Sequence, residues 1–130
     1  MRGFTTIELI AVLVVVGVLV TAATVKFTST STISLRAAAE MIQADIRYTQ
    51  AEAMATNADR SINFVAGNNY MVGSETRDLP SGVTIVAGRL FTFDSLGEPT
   101  AGGGQFVSVS DGTNTNTVTV VDYTGKADIS

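Results

Sequence analysis

Residues 4–25, FTTIELIAVLVVVGVLVTAATV, form an apolar run in which the single charge is Glu8. At a rise of ~1.5 Å per residue the run covers ~33 Å as a helix, enough for the hydrocarbon core of a bilayer. It is apolar on every side rather than along one stripe, unlike the core helix of a soluble protein. Lys26 ends it, and a hydroxyl-rich junction follows, Thr28-Ser29-Thr30-Ser31-Thr32. Serine and threonine compete with helical backbone bonds, so the junction reads as a cap or a soft spot, although neither proline nor glycine interrupts it. From Leu35 the pattern turns amphipathic. Leu35, Ala39, Ile42, Ile46, Thr49 and Ala53 step by 4-3-4-3-4 along one narrow stripe. Arg36, Glu40, Gln43, Arg47 and Gln50 fall on the other side, and alanines at 37, 38, 39, 44, 51, 53 and 55 let a backbone or a sheet approach closely. The helical pattern fades at Thr56-Asn57. It predicts one helix from about Phe4 to about Asn57, ~80 Å long.

Beyond that point the period shortens. Ten of the twelve glycines and both prolines lie after residue 66, where short alternating runs replace the stripe. Arg60–Val65 and Tyr70–Val72 flank Gly67-Asn68-Asn69, which is hairpin chemistry. Leu79-Pro80-Ser81-Gly82 is a turn into Val83–Val86. Leu90–Phe93 follows, then a loop running to Gly104, in which Gly102-Gly103-Gly104 reads as a flexible linker. Phe106–Val109 and Val118–Val121 bracket the polar turn Asp111–Asn116, ahead of Tyr123-Thr124-Gly125-Lys126. This predicts roughly five to seven short antiparallel strands packed on the alanine-rich second half of the helix.

The first chemical question is Glu8. An unpaired carboxylate within a spanning segment costs at least ~2.5 kcal/mol, so it needs a partner. A free amine at Phe4, released by a cut after Gly3, supplies one, and Arg2 is the cationic flank that keeps a leader cytoplasmic. An ordinary signal anchor with an accidental glutamate is the bland alternative. A cleaved secretory signal fits poorly, because its apolar region is shorter and ends in a small-residue cleavage box.

The run Gly3-Phe4-Thr5-Thr6-Ile7-Glu8-Leu9-Ile10 resembles the class III signal of type IV pilins and type II secretion pseudopilins. The resemblance implies that a prepilin peptidase cuts after Gly3 and N-methylates Phe4, and that Glu8 neutralises the amino terminus of a neighbouring subunit during filament assembly. Two positions depart from the pattern: Thr6 stands where the family usually has an apolar residue, and Val25 where many pilins place a helix-bending proline. Further along, Leu79-Pro80-Ser81-Gly82-Val83, Phe93-Asp94-Ser95-Leu96-Gly97 and Tyr123-Thr124-Gly125-Lys126 look like the GspH/FimT class of minor pseudopilins and minor pilins. These are weaker markers, being common turn sequences.

The resemblance implies an α+β, type IV pilin-like fold, a long amino-terminal helix with a membrane-spanning first half packed on an antiparallel β-sheet domain. The divisions are a leader at 1–3, a transmembrane and filament-core half at 4–25, an amphipathic half at 26–57 and a β-rich domain at 58–130. The implied function is that of a structural minor subunit, held as a single-pass protein in the inner membrane with its carboxyl-terminal domain in the periplasm or outside. Its implied partners are other pilin or pseudopilin subunits, the prepilin peptidase, the assembly platform and membrane lipid. Gly17 permits close helix approach within such a bundle.

Composition narrows the alternatives. The chain has no cysteine and no histidine, so disulfide staples, thiol nucleophiles and the commonest general base are missing. Neither an enzyme nor a cofactor is expected. Asp94 with Glu98 and Glu75 with Asp78 read as turn carboxylates facing solvent rather than catalytic pairs. Asp111–Asn116 offers oxygens at alternate positions but lacks the glycine and terminal glutamate of a calcium hand, so no metal is expected there. After Lys26, six basic residues face eleven acidic ones, a balance unsuited to nucleic acid. A DNA-capturing minor pilin is the alternative function, with Lys126 its single carboxyl-terminal cation.

Overall fold

The computed structural model describes residues 3–24 and 30–130, with side chains for 3–20 and 33–130. Two helices come first, α1 (Thr6–Thr24) and α2 (Thr30–Thr56). Nine strands follow: β1 (Arg60–Phe64), β2 (Asn69–Val72), β3 (Glu75–Asp78), β4 (Thr84–Ala87), β5 (Leu90–Phe93), β6 (Pro99–Ala101), β7 (Phe106–Ser110), β8 (Thr115–Val120) and β9 (Ala127–Ile129). The chain divides into two compact units, Met1–Thr30 and Ser31–Ser130.

The expected fold is corrected on two counts. Of the single helix expected over 4–57, the described residues show two helical stretches, of 19 and 27 residues, and the expected continuity at 25–29 lies outside the described residues. Among the described residues no helix is long and apolar enough to cross a membrane. Glu8 occupies the first turn of α1. The single sheet is also corrected, because the strands form two antiparallel sheets, ordered β3-β2-β1-β5-β6 and β4-β7-β8-β9. A long spanning helix laid on one sheet, the pilin-like arrangement, is therefore not what is observed; the described residues form a small α+β protein with two helices and nine short strands in two antiparallel sheets.

Alternation explains how the strands meet the helix. Ile62 and Phe64 of β1 stand opposite Val72 and Tyr70 of β2, and Ile62 opposite Phe91 of β5; all five are buried. The Phe64 ring lies 4.8 Å from that of Tyr70 and meets Phe91 edge-on at 6.0 Å, within the range of favourable aromatic pairs. The second sheet contributes Ile85, Val107, Val109, Val118, Val120 and Ala127. Against both sits the α2 stripe, with Leu35, Ala38, Ala39, Ile42, Ile46, Thr49 and Ala53 all buried. A helix this rich in alanine brings its backbone close to the sheets, and the valines and phenylalanines opposite supply the volume.

The two sheets are joined where Gly67 bridges Ile85 and the Phe64 N–H donates to the Arg89 carbonyl at 2.8 Å. Gly88 is required at this seam, because a β-carbon there would stand 2.3 Å from the Phe64 carbonyl oxygen. Three strands are absent from the expected set: β3, β6 and β9. The loop expected to run to Gly104 contains β6, and its glycines form a packed turn rather than a flexible linker. A β-carbon on Gly102 would meet the Phe91 ring at 2.5 Å, and Gly104 donates its N–H to the Val120 carbonyl at 2.9 Å.

Candidate functional site: the head of the first helix

Helix α1 starts where it does because Thr5 caps it. The Thr5 carbonyl accepts the N–H of Glu8 at 3.0 Å and of Leu9 at 3.2 Å, and the Thr5 hydroxyl oxygen accepts the Glu8 N–H at 3.3 Å. Thr5 is thus the N-cap and Glu8 the third helical residue, the Thr-x-x-Glu spacing of a capping box. A carboxylate in the first turn also faces the positive end of the helix dipole. Sequence reasoning assigned Glu8 its role from its charge and from the resemblance, and missed the cap, although the Thr-x-x-Glu spacing carried the signal.

Around this head the surface is apolar and open. Phe4 is 82% exposed and Ile7 78%, and every side chain from 3 to 20 is exposed. A shallow apolar groove lined by Ala11, Val12, Val15 and Val16 runs away from Glu8, and a second depression joins Glu8 to Gly3, Phe4 and Thr5. The Glu8 carboxylate has no ion-pair partner among the described residues. A β-carbon added to Gly17 would meet nothing within 4 Å. Gly3, Phe4 and Glu8 are therefore neighbours in space, whereas Gly17 lies two and a half turns further along. Fully burying one Leu, Ile or Val side chain is worth ~1.5–3 kcal/mol. Twelve large apolar side chains stand open between Phe4 and Val20, so covering them is worth on the order of 20 kcal/mol, more than the whole stability of an ordinary domain.

The other candidates resolve into structural roles. The Asp94 carboxylate accepts the N–H groups of Leu96 and Glu98 at 2.9 and 3.0 Å, organising its own turn. Glu75 pairs with Arg77 at 3.4 Å on the edge strand β3. In the turn before β8, Asp111 accepts from the N–H groups of Thr113 and Asn114 at 2.9 and 2.7 Å. The Asn114 and Thr113 N–H groups hold its carboxyl below the usual carboxylate range. Among the described residues there is no group of three or more side chains able to hold a metal ion. Lys126 pairs with Asp128 at 3.0 Å, which leaves its charge locally balanced.

The polar side of α2 differs from the expected solvated face. The Gln43 side chain donates to the Ala127 carbonyl at 2.8 Å, with Arg47 on the same oxygen at 3.3 Å. The Gln50 amide donates to the carbonyls of Gly97 and Thr124 at 2.7 and 2.9 Å. The Tyr70 hydroxyl donates to Asp45 at 2.6 Å. Burial, then the hydrogen bond to the Asp45 carboxylate, pushes the Tyr70 phenol well above its ordinary value. These groups tie the helix to strands and loops up to 84 residues away. Of the expected polar face, Arg36 and Glu40, paired at 2.9 Å, and Arg47 stay exposed, while Gln43 and Gln50 are half-buried.

No protein family, curated protein or solved structure matches the chain.

Proposed function

We propose that the chain is a structural minor subunit of a type IV pilin-like filament, a type II secretion pseudopilus or a type IV pilus, joined to its neighbours through α1. One observation carries this reading: among the described residues the buried core lies within 31–130, while α1 leaves an all-round apolar surface open from 3 to 20 with a carboxylate at its head. Such a surface suits a bundle in which each helix is covered by several others. In that setting the Glu8 carboxylate meets the Phe4 amine of an adjacent subunit, freed by a prepilin peptidase acting after Gly3. The water-excluded pair sets register. Until assembly the chain resides at the inner membrane, with 31–130 in the periplasm or outside, and the assembly platform moves it into the filament.

The test compares membrane level and filament incorporation in the same cells for Glu8→Ala and Glu8→Gln. Membrane level should hold for both, whereas incorporation should fall, more for Ala than for Gln. Breaking one side of a buried pair costs ~3–5 kcal/mol, so the loss for Ala should exceed about a hundredfold. Incorporation of both variants at wild-type efficiency would remove Glu8 as an assembly residue. An intact Met1 in the mass spectrum of membrane-extracted protein would remove the processing step.

A further inference from the structure

The polar turn between β7 and β8 carries the chain's single Asp-Gly pair, Asp111-Gly112, and the chain has no Asn-Gly pair. An aspartate followed by glycine lies open to internal rearrangement, because no side chain shields the glycine nitrogen from the preceding carboxyl. With that carboxyl protonated, the Gly112 nitrogen can attack the Asp111 Cγ. The new Cγ–N bond closes a succinimide ring, while the carboxyl hydroxyl and the amide proton leave as water. Water then reopens the ring. Cleavage at the Asp111 main-chain carbon routes the backbone through the side chain and leaves an isoaspartate, with the side-chain methylene now part of the main chain. Water lost and water regained balance the two steps, and nothing is oxidised or reduced.

The folded turn opposes each step. Thr113 and Asn114 donate their N–H groups to the Asp111 Oδ1 at 2.9 and 2.7 Å. Those two bonds tether the carboxyl and favour its ionised form, which cannot lose hydroxide to an attacking nitrogen. The other oxygen, Oδ2, is enclosed and meets no donor among the described residues, so no acid stands ready to protonate it. The nucleophile is occupied as well. Gly112 donates its N–H to the Ser110 hydroxyl oxygen at 3.1 Å, and that hydroxyl donates to the Asn114 carbonyl at 2.7 Å. The Asp111 N–H on the same carbonyl at 3.2 Å closes the turn, and the paired residues of β7 and β8, down to Ser110 opposite Thr115, brace it. Ring closure therefore requires the turn to open.

We propose that Asp111-Gly112 is a spontaneous modification site gated by the fold: isoaspartate forms where the β7–β8 turn is open and is suppressed where it is closed. The change is also self-sealing. An added methylene between Ser110 and Thr115 breaks their spacing, and the relocated carboxylate no longer matches the Thr113 and Asn114 N–H groups, so a modified chain cannot close the same turn again. The inference is read without α1 and is independent of the filament reading. Full-length protein in detergent micelles is held at neutral pH, in buffer and in urea above its unfolding transition, and electron-transfer fragmentation locates isoaspartate at 111. Formation should be at least about tenfold slower in buffer, the least that one hydrogen bond to a charged group supplies. Ser110→Ala frees the Gly112 N–H and should raise the rate in buffer at least about threefold, with the rate in urea unchanged. Ser110→Thr keeps the hydroxyl and should restore the slow rate. Equal rates in buffer and urea, a faster rate in buffer, or no isoaspartate at 111 in either would overturn the proposal. A folded Ser110→Ala protein modified at the wild-type rate would do the same. If that variant fails to fold, the wild-type comparison of buffer with urea decides alone.

Discussion

Helices α1 and α2 follow one another in the chain and meet opposite fates. In α1 every side chain from 3 to 20 is open, whatever its face. In α2 seven residues on one face are buried by two sheets that the same chain supplies. Total apolarity is the poorer guide to where a helix is buried, because an all-round apolar surface can be satisfied only by several neighbours. A narrow stripe needs one neighbouring layer, which the strands provide. The strands thus cover α2 within 31–130, and the cover of α1 is what the proposed filament would supply.

The largest expected effect breaks the comparison directly. Ile46→Ala in the α2 stripe should cost ~2–5 kcal/mol of domain stability in urea denaturation, while Val15→Ala, equally apolar but outside any intramolecular core, should leave the same transition unmoved. A shift for Val15→Ala comparable to that for Ile46→Ala would mean that α1 is covered within its own chain.

A middle-sized effect concerns how α2 is held. Tyr70→Phe removes the hydroxyl from Asp45 and should cost about 1–3 kcal/mol. It should also change the alkaline limb of stability. The folded phenol keeps its proton above the ordinary value of ~10, so in wild type the unfolded chain releases that proton first and stability falls as pH rises beyond ~10. The variant should lose that part of the slope. Chemical denaturation at pH 8 and pH 11 measures it, and identical slopes would show that the hydroxyl is equally protonated in both states.

The smallest effect is local to α1. Thr5→Ala should remove a cap worth ~1 kcal/mol, and Thr5→Ser should restore it. Amide exchange at Glu8 in micelles should rise for the alanine variant alone, with the melting of 31–130 unchanged. Equal exchange in all three proteins would mean that Thr5 does not cap the helix.

Much of this architecture is written in periodicity. The 4-3-4-3-4 stripe of α2 reappears residue for residue in its buried face, and Leu90–Phe93 is β5 as expected. The strands that escaped are those without an apolar alternation to announce them: Glu75-Thr76-Arg77-Asp78, Pro99-Thr100-Ala101 and Ala127-Asp128-Ile129. They exist because a neighbouring strand offers them hydrogen bonds, a tertiary cause that local pattern does not carry. The division into two sheets was illegible for the same reason, since which strands pair is decided at seams such as Gly67 with Ile85. Gln43 and Gln50 read as solvated because long polar side chains usually are, and only the fold brings carbonyls within their reach and that of the exposed Arg47. At the head of α1 the residues Gly3, Phe4 and Glu8 were legible as a cluster, whereas Thr5 was passed over for want of a charge.

The fastening of α2 to the latest strand has a consequence for the growing chain. Ala127 closes the second sheet and receives Gln43 and Arg47 from a helix made some 84 residues earlier. During synthesis that helix leaves the ribosome with its stripe bare, and its sealing strand emerges only after eight others. At ~5–20 residues per second the wait is several seconds. Contacts so distant in sequence also form slowly once the chain is whole. Any partner able to occupy the stripe in that interval would compete with the protein's own final strand, so the window for chaperone capture is set by chain order rather than by stability.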